Sequence, residues 1–491
     1  VTILGIGDGP ASGAALVVDG VIACVEAEPG ATGLPYRAID AVLADAGVAP
    51  DEVDVVALAG RFSPPLVVRR FPGLEELSGT VAVRGAAAAW QTTLRATGFG
   101  AVQADIAATW LGDQLRPRGF RPRRVQTVDV HTCLASAAYR CQDRDDALVV
   151  TVQPHGDGLL AAVHRGLAGQ LDRVWDQRAP SSLHTHLDRC ARLLHVDRTA
   201  PLAALELTAG DAAPDPELAA HVGPTCADGE LGGGLTSDAA GRLAAAARDV
   251  AAATVLAALR TAVTGLVAHH VADGSAVSVG GAWAADPRTL ALLLGRIPAT
   301  HIACGPEVGG AFAALGAALF EAGCPPRRVA ATLGPRPTDV TVRSALAGRS
   351  AEPVDVARVV GALGGGGAIG RIAGRGGHGA LGTRSILVRT GDERALARAR
   401  VVSGRALPCR LVPSCPPALS RLASAVDHGM AFEEGRIRRV DPNDDPELHA
   451  VAAAVPLSAV PLSDDLPAAL DHVHEGRLDG ALVRSFQVFA A

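Results

Sequence analysis

Residues 1–28 read VTILGIGDGPASGAALVVDGVIACVEAE. Two runs of aliphatic and β-branched residues meet at turn-type residues. The best hairpin signal is Asp19-Gly20, because a tight two-residue β-turn needs positive φ at both central positions. The stretch LPYRAIDAVLADAGV, residues 34–48, then spaces its apolar residues for a helix that stops at Gly47. DEVDVVALAG, residues 51–60, is a further strand. The order strand, hairpin, helix, strand is repeated from ALVVTVQPHGDGLLAAVHRG, residues 147–166, which predicts a duplicated α/β core.

Beyond that core, Ser237 to His270 reads as one long alanine- and leucine-rich helix. AVSVGGAWAADP, residues 276–287, is a buried strand running into the Gly280-Gly281 turn. GPEVGGAFAALGAALFEAG, residues 305–323, is a glycine loop opening a helix, a geometry suited to nucleotide phosphates. Prolines break the pattern at LGPRPT, residues 333–338, so the domains are expected at 1–332 and 333–491. The glycine-rich block at residues 361–386 contains apolar residues and ends in the strand-like RSILVRT, which favours strand-turn-strand over a flexible linker.

A chain of 491 residues is too long for one core. With 48% hydrophobic and 20% charged residues and a net charge of −6, it has no excess positive field for phosphates, which speaks against nucleic acid as a partner. The apolar runs fall short of the roughly 20 residues that span a bilayer, and the first residues lack the basic segment of a signal peptide. The nine cysteines are dispersed without a CxxC pair, which points to reduced thiols and a cytoplasmic location. All 45 basic residues are arginine. Walker-A phosphate binding and Schiff-base chemistry both need a lysine, so both are excluded.

The strand-hairpin-helix-strand opening is how actin-like ATPase (ASKHA) folds begin. Four further pieces, ASGAALVVDG from Ala11, GGAWAA from Gly280, GPEVGGAFAALGAAL from Gly305 and GALGTRSIL from Gly379, stand in the order and spacing of one family. The chain resembles the carbamoyltransferases of antibiotic and nodulation-factor biosynthesis over nearly its whole length. The resemblance implies a duplicated Kae1-like domain followed by a smaller, shortened YrdC-like α/β domain. In that family the YrdC-like domain makes carbamoyl-adenylate from carbamoyl phosphate and ATP. The Kae1-like domain then transfers the carbamoyl group, using a metal held by histidines and aspartates.

On those family positions this chain departs repeatedly. VDVHTCLASAAYR, residues 128–140, matches the HHLAHAASAY motif, but Val130 and Leu134 stand where the metal-binding histidines belong, and His131 falls on the non-ligating one. Gln153 replaces an aspartate, Gly310 another, Pro10-Ala11 the early His-Asp, and Ala285 an asparagine. In the C-terminal part a glutamate is lost and Gly379 replaces an arginine, while Arg384 and Ser385 persist and Arg375 matches a Gly-Arg. Arg405 and Arg410 keep part of an anion-binding segment. Vestigial nucleotide or carbamoyl contacts are thus expected at Gly280, Gly281, Gly309, Gly310, Arg375, Arg384, Ser385, Arg405 and Arg410. No metal or cofactor is expected; an active form would use ATP and carbamoyl phosphate.

The residual catalytic candidates are His131, His155 and Asp157. His131 and Cys133 are two residues apart, so they share a side only if they end a strand, and without a second pair they make a weak metal signal. His155 and Asp157 fit a β-turn, and His269-His270 suit a helix C-terminus. The coordinated losses on an intact scaffold imply a non-catalytic partner of an active carbamoyltransferase or related biosynthetic enzyme, as a hetero-oligomer or a homodimer. Two alternatives are a metal-independent carbamoyl or acyl transferase and a nucleotide sensor built on residues 305–316.

Overall fold

The computed structural model describes the chain apart from residues 9–11, 29–32, 72–80, 197–203, 272–275, 282–288, 297–300, 305–310, 373–383, 400–408, 412–429, 440–456 and 462–469, and further breaks of up to three residues. The chain divides into two compact units, residues 1–306 with 310–329, and residues 307–309 with 330–491.

The first unit holds two five-stranded sheets. In the first, β1 (Thr2–Gly7), β2 (Gly13–Val18) and β3 (Val21–Ala27) form an antiparallel meander, and β4 (Val55–Ala59) and β5 (Arg124–Val128) continue it in parallel, giving the order β3-β2-β1-β4-β5. Asp19 and Gly20 both take positive φ, 50° and 76°, as the hairpin reading requires. In the second sheet β6 (Asp146–Gly156), β7 (Leu159–Leu167) and β8 (Gln170–Arg178) repeat the meander. With β11 (Ala276–Gly280) and β12 (His301–Cys304) added, the order is β12-β11-β6-β7-β8. The two orders are the same when read from the third strand. This duplicated meander with two parallel additions is the actin-like ATPase fold. We refer to the two sheets and their insertions as the first and second lobes of this unit. A two-stranded ribbon, β9 (Thr225–Ala227) and β10 (Glu230–Gly232), belongs to the second lobe's insertion.

In the first lobe α1 (Tyr36–Ala46) ends at Gly47 in the left-handed conformation, as predicted. Helices α2 (Leu66–Arg70), α3 (Val81–Ala96) and α4 (Phe99–Leu115) fill the connection from β4 to β5. Helix α5 (Val130–Arg140) then leads from the first sheet to the second. The insertion between β8 and β11 carries α6 (Ser182–Leu193), α7 (Pro216–Val222), α8 (Ser237–Ala245) and α9 (Arg248–His270). The single helix expected from Ser237 to His270 is therefore two. Ala246 and Ala247 turn to extended ψ values of 158° and 136°, and no glycine or proline marks the break. Among the described residues α9 is the one helix long and apolar enough to cross a bilayer, and 78% of its apolar window is buried within the protein. That burial gives it the character of a core helix.

Helix α10 (Phe312–Ala322) leads back from the second lobe and packs on β1, β2 and β4 of the first, while α5 packs on β6 and β11 of the second. The two helices also pack on each other, and small residues set their separation. A Cβ on Gly316 would lie 1.8 Å from the Cys133 carbonyl oxygen, and one on Gly5 would lie 2.0 Å from that of Ala314. Ala57, Ala59, Val128, Cys133 and Ala317 fill the space between.

In the second unit α11 (Asp339–Leu346), β13 (Ala351–Pro353) and α12 (Val356–Gly364) precede β14 (Ile369–Ile372), which pairs antiparallel with β15 (Arg384–Arg389). The glycine-rich block thus holds the end of α12 and two paired strands, as the strand reading expects, with residues 373–383 outside the described set. With β16 (Cys409–Leu411), β17 (Met430–Glu433), β18 (Arg436–Arg439), β19 (Leu457–Pro461), β20 (Gly480–Val483) and β21 (Phe486–Phe489), these strands form one nine-stranded mixed sheet. Val342, Ile386, Val388, Ala395 and Leu470 lie in its core.

The helix contact gives a direct test. Gly316→Ala is expected to lower unfolding free energy by about 3 kcal/mol or to abolish folding, since neither backbone can retreat. Gly241→Ala, in α8 with nothing within 4 Å of the new methyl, is expected to raise it by up to about 1 kcal/mol. Chemical denaturation of both variants measures the contrast.

Candidate functional site

The polar groups of the first unit converge on the loop Gly60–Ser63, which follows β4. Gly60 sits at φ 98°, and a Cβ there would lie 2.0 Å from the Ser63 carbonyl oxygen, so this turn requires glycine. Its amide donates to the Val128 carbonyl at 2.7 Å. The amides of Phe62 and Ser63 donate to Oδ1 of Asp157, at 2.7 and 2.8 Å, and that of Arg61 donates to Oδ2 at 2.9 Å. A fourth amide, that of Val130 at the start of α5, donates to Oδ2 at 2.9 Å. In return the Asp157 amide donates to Ser63 Oγ at 3.1 Å. The loop's carbonyls are taken from the other side. Arg69 Nη2 donates to Gly60 and to Ser63, both at 2.8 Å, and Gln91 Nε2 donates to Phe62 at 3.2 Å.

Asp157 occupies the β6–β7 turn, with φ 55° beside Gly158 at 82°. The turn expected there is present, but the residue is not a solvated turn aspartate. It is fully buried and bridges the lobes. Burial pushes its carboxyl above the usual range, and the nearby Asp129 charge adds to that, against the three amides that lower it most.

Two carboxylates held by arginines flank the loop. Arg69 Nε and Nη2 hold Asp8, at the end of β1, at 2.8 and 3.2 Å, and both side chains are buried. Burial raises the Asp8 carboxyl, and Arg69 opposes that rise. Asp129 caps α5, accepting from the Thr132 amide at 3.2 Å, and is gripped by Arg95 of α3 and Arg173 of β8. Burial raises its carboxyl, but the guanidinium groups of Arg173 and Arg95 outweigh burial and bring it down to about 2. Arg95 Nε also donates to the Asp157 carbonyl at 2.8 Å. Hence Arg95 and Asp129 join the same lobe contact.

Behind Asp129 lie two buried histidines. His131 Nδ1 is 2.7 Å from Thr151 Oγ1, and its Nε2 is 3.3 Å from the Leu159 carbonyl. His164 Nε2 accepts from Arg173 Nε at 3.4 Å, while its Nδ1 has no partner. Burial lowers His131 to about 4 and His164 to about 3, so both are neutral near neutral pH. Cys133 does not join His131. Both residues lie on α5, not at a strand end, and at this spacing they diverge. Its thiol donates to the Val128 carbonyl at 3.6 Å and packs in the small-residue core. A second His–Cys contact, His186 Nε2 with Cys190 Sγ at 3.6 Å, joins a thiol that burial pushes up to about 12 to an imidazole lowered to about 4. It is not an activated thiol.

The remaining candidates are placed as follows. Val130 and Leu134 are buried on α5, 8% and 4% exposed. Gly280 closes on the Leu134 carbonyl, and Gly281 takes φ 90° against Val152. Gln153 lies in β6. His155 is also in β6, and its side chain lies outside the described set, as do those of Arg384, Ser385 and Arg410 in β15 and β16. Pro10, Ala11, Ala285, Gly309, Gly310, Arg375, Gly379 and Arg405 lie outside the described residues. His269 and His270 end α9, where His270 Nε2 is 3.2 Å from the Gly229 carbonyl and its ring packs on Trp175. Among the described residues no three His, Cys, Asp or Glu side chains converge to hold a metal ion. The divalent cation that the resemblance implies does not fit the described residues at the positions read for it, two aliphatic side chains and a carboxamide. Sequence reasoning missed Asp8, Arg69, Arg95, Asp129 and Arg173. Only Asp129 left a signal, a capping residue directly before the small-residue helix.

No protein-family model matches the chain, and no curated protein matches it. Similar solved structures include component A of (R)-2-hydroxyglutaryl-CoA dehydratase from Acidaminococcus fermentans, 15% identical, with 66% of this chain and 100% of that chain covered and a TM-score of 0.34. The ROK hexokinase from Thermus thermophilus is 15% identical, with 65% and 98% covered and a TM-score of 0.31. A ROK family glucokinase from Streptomyces griseus, in complex with glucose and AMPPNP, is 16% identical, with 65% and 99% covered and a TM-score of 0.30. Likenesses this distant carry no argument about the chain, and the fold rests on the strand order and register.

The buried groups fix the acid limb of stability. The unfolded chain protonates its histidines near pH 6.5, well before His131 and His164 do so in the folded protein. Stability is therefore expected to fall by several kcal/mol as pH drops from 6.5 toward 4. The Asp129 contribution, about 2 kcal/mol, is present above pH 4 and is lost as pH falls through 2. His164→Leu removes one histidine and its orphaned nitrogen, and should flatten the limb between pH 6.5 and 4. Denaturation midpoints across pH measure it.

Proposed function

We propose that this chain is a carbamoyltransferase-family protein of natural-product biosynthesis that carries out no carbamoyl transfer itself. It serves as the partner subunit of an active carbamoyltransferase or related biosynthetic enzyme in the cytoplasm. On this reading residues 333–491 are a shortened YrdC-like domain that no longer makes carbamoyl-adenylate.

The observation that carries the reading is how the charged groups of the first unit are used. The two carboxylates that end the first hairpin strand of each lobe, Asp8 and Asp157, are engaged within the chain, one by Arg69 and the other by four amides. Phosphoryl and carbamoyl transfer instead need free charge facing the substrate, to hold a cation or stabilise the reacting group. Val130 and Leu134 supply none. The groups that the chain does position serve to hold its own lobes.

The test uses the purified full chain. Calorimetry with ATP and carbamoyl phosphate, each with Mg²⁺, Mn²⁺ and Fe²⁺, is expected to show no metal-dependent binding, and phosphate-release assays no turnover. Light scattering of the chain mixed with an active carbamoyltransferase from the same cells is expected to show a stable complex. Stoichiometric metal together with carbamoyl phosphate-dependent ATP cleavage would overturn the proposal. Carbamoylation of an acceptor without metal would establish the transferase alternative, and nucleotide binding without turnover the sensor.

A further inference from the structure

The contact between Asp157 and the Gly60–Ser63 loop has the form of a bound anion. Three successive amides of one loop and the first amide of an α-helix point at a single carboxylate, the arrangement by which backbone nests and helix N-termini hold free oxyanions. Here the anion is the chain's own. It is carried by the hairpin turn of the second lobe, while the nest belongs to the first lobe and the start of α5. No side-chain cation touches the carboxylate in this set of bonds; Arg95 takes the Asp157 carbonyl instead.

We infer that Asp157 is an internal latch: its carboxylate fills an oxyanion nest formed by the amides of Arg61, Phe62, Ser63 and Val130 and holds the second lobe's turn onto the first lobe. The consequence for the loop is specific. Its carbonyls stay tied to Arg69 and Gln91 when the carboxylate is removed, so the loop keeps its place while its amides lose their acceptor. The nest then persists as a vacant site of the right shape for a small carboxylate. The turn keeps only its two backbone bonds to the first lobe, the amide to Ser63 Oγ and the carbonyl to Arg95, and is held less firmly. The latch goes beyond the function proposed above and does not depend on it, since it concerns how the lobes are held and not whether they transfer a group.

The test is hydrogen exchange on the full chain carrying Asp157→Gly. Glycine takes the positive φ of this turn without strain, so only the carboxylate is removed. Loss of charge-assisted bonds is expected to speed exchange at Arg61, Phe62, Ser63 and Val130 by roughly tenfold or more, with strand amides such as Val149 and Val150 unchanged. Added formate is expected to restore protection at those four amides, where chloride at the same ionic strength does not, and to leave the unsubstituted protein unaffected. Unchanged exchange in the variant, or formate acting no better than chloride, would overturn the latch. Should Asp157→Gly not fold, Asp157→Asn takes its place, keeping one acceptor and losing the charge. Wild-type protection in that variant would reject the latch, and selective loss at the four amides would support it. Binding of ATP by the unsubstituted protein would count against the partner-subunit reading and leave the latch standing.

Discussion

A buried carboxylate without a guanidinium partner is costly, and the first unit is arranged around one. Moving such a charge out of water costs several kcal/mol even after relaxation. Asp157 is compensated only by backbone amides, each charge-assisted bond contributing roughly 1.5–3 kcal/mol. Four of them are enough to offset that cost only if all four point inward together. This requirement dictates the rest. The loop must present three consecutive amides, so its carbonyls face outward and need donors of their own, which Arg69 and Gln91 supply. Gly60 must take a left-handed φ to start the turn, and α5 must begin at Val130 so that its first free amide completes the set.

Asp129 and Asp157 show how environment separates two neighbouring carboxylates. Both are buried, and the charge of Asp129 raises Asp157. Asp129 faces two guanidinium groups and is held to about 2, whereas Asp157 faces amide dipoles and stays above the usual range. The difference matches their work. Asp129 is tied by charge to residues of α3 and β8 and would keep those ties through mild acid. Asp157 is tied by geometry, and a shift of its turn by an ångström would undo all four bonds at once. The lobes are thus joined by one contact that resists protonation and one that resists only as long as its shape is kept.

What the sequence revealed follows the range of the interactions. Asp19-Gly20, Asp157-Gly158 and Gly47 are local turn and cap signals, and from them the hairpins, the first helix and the duplication of the core could be read. The two paired strands of the glycine block were legible from their apolar residues. The split between α8 and α9 was not, because two alanines carry it and alanine has no preference that would announce a break. Of the site, only Asp157 was legible, as a turn residue. Its partners lie 94 to 96 positions away in the loop, and Asp8 and Arg69 are 61 apart. No periodicity connects such pairs, and an aspartate in a DG turn looks the same whether it meets water or a nest.

The aliphatic positions and the latch are also linked through α5. The helix is pinned on one side by Gly316, which leaves no room for a side chain between it and α10, and on another by Gly280 against the Leu134 carbonyl. Its first amide is committed to Asp157 and its capping carboxylate to two arginines. A helix fixed on these sides cannot turn to bring a ligand at 130 or 134 toward a cation without breaking the cap or the latch. Under the function proposed here, the aliphatic residues at 130 and 134 and the contact between the lobes are therefore linked through one helix. A histidine placed at 130 or 134 would enter a nearly buried position. Presenting it to a cation would thus require first freeing Asp157, and with it the loop on which the first unit is organised.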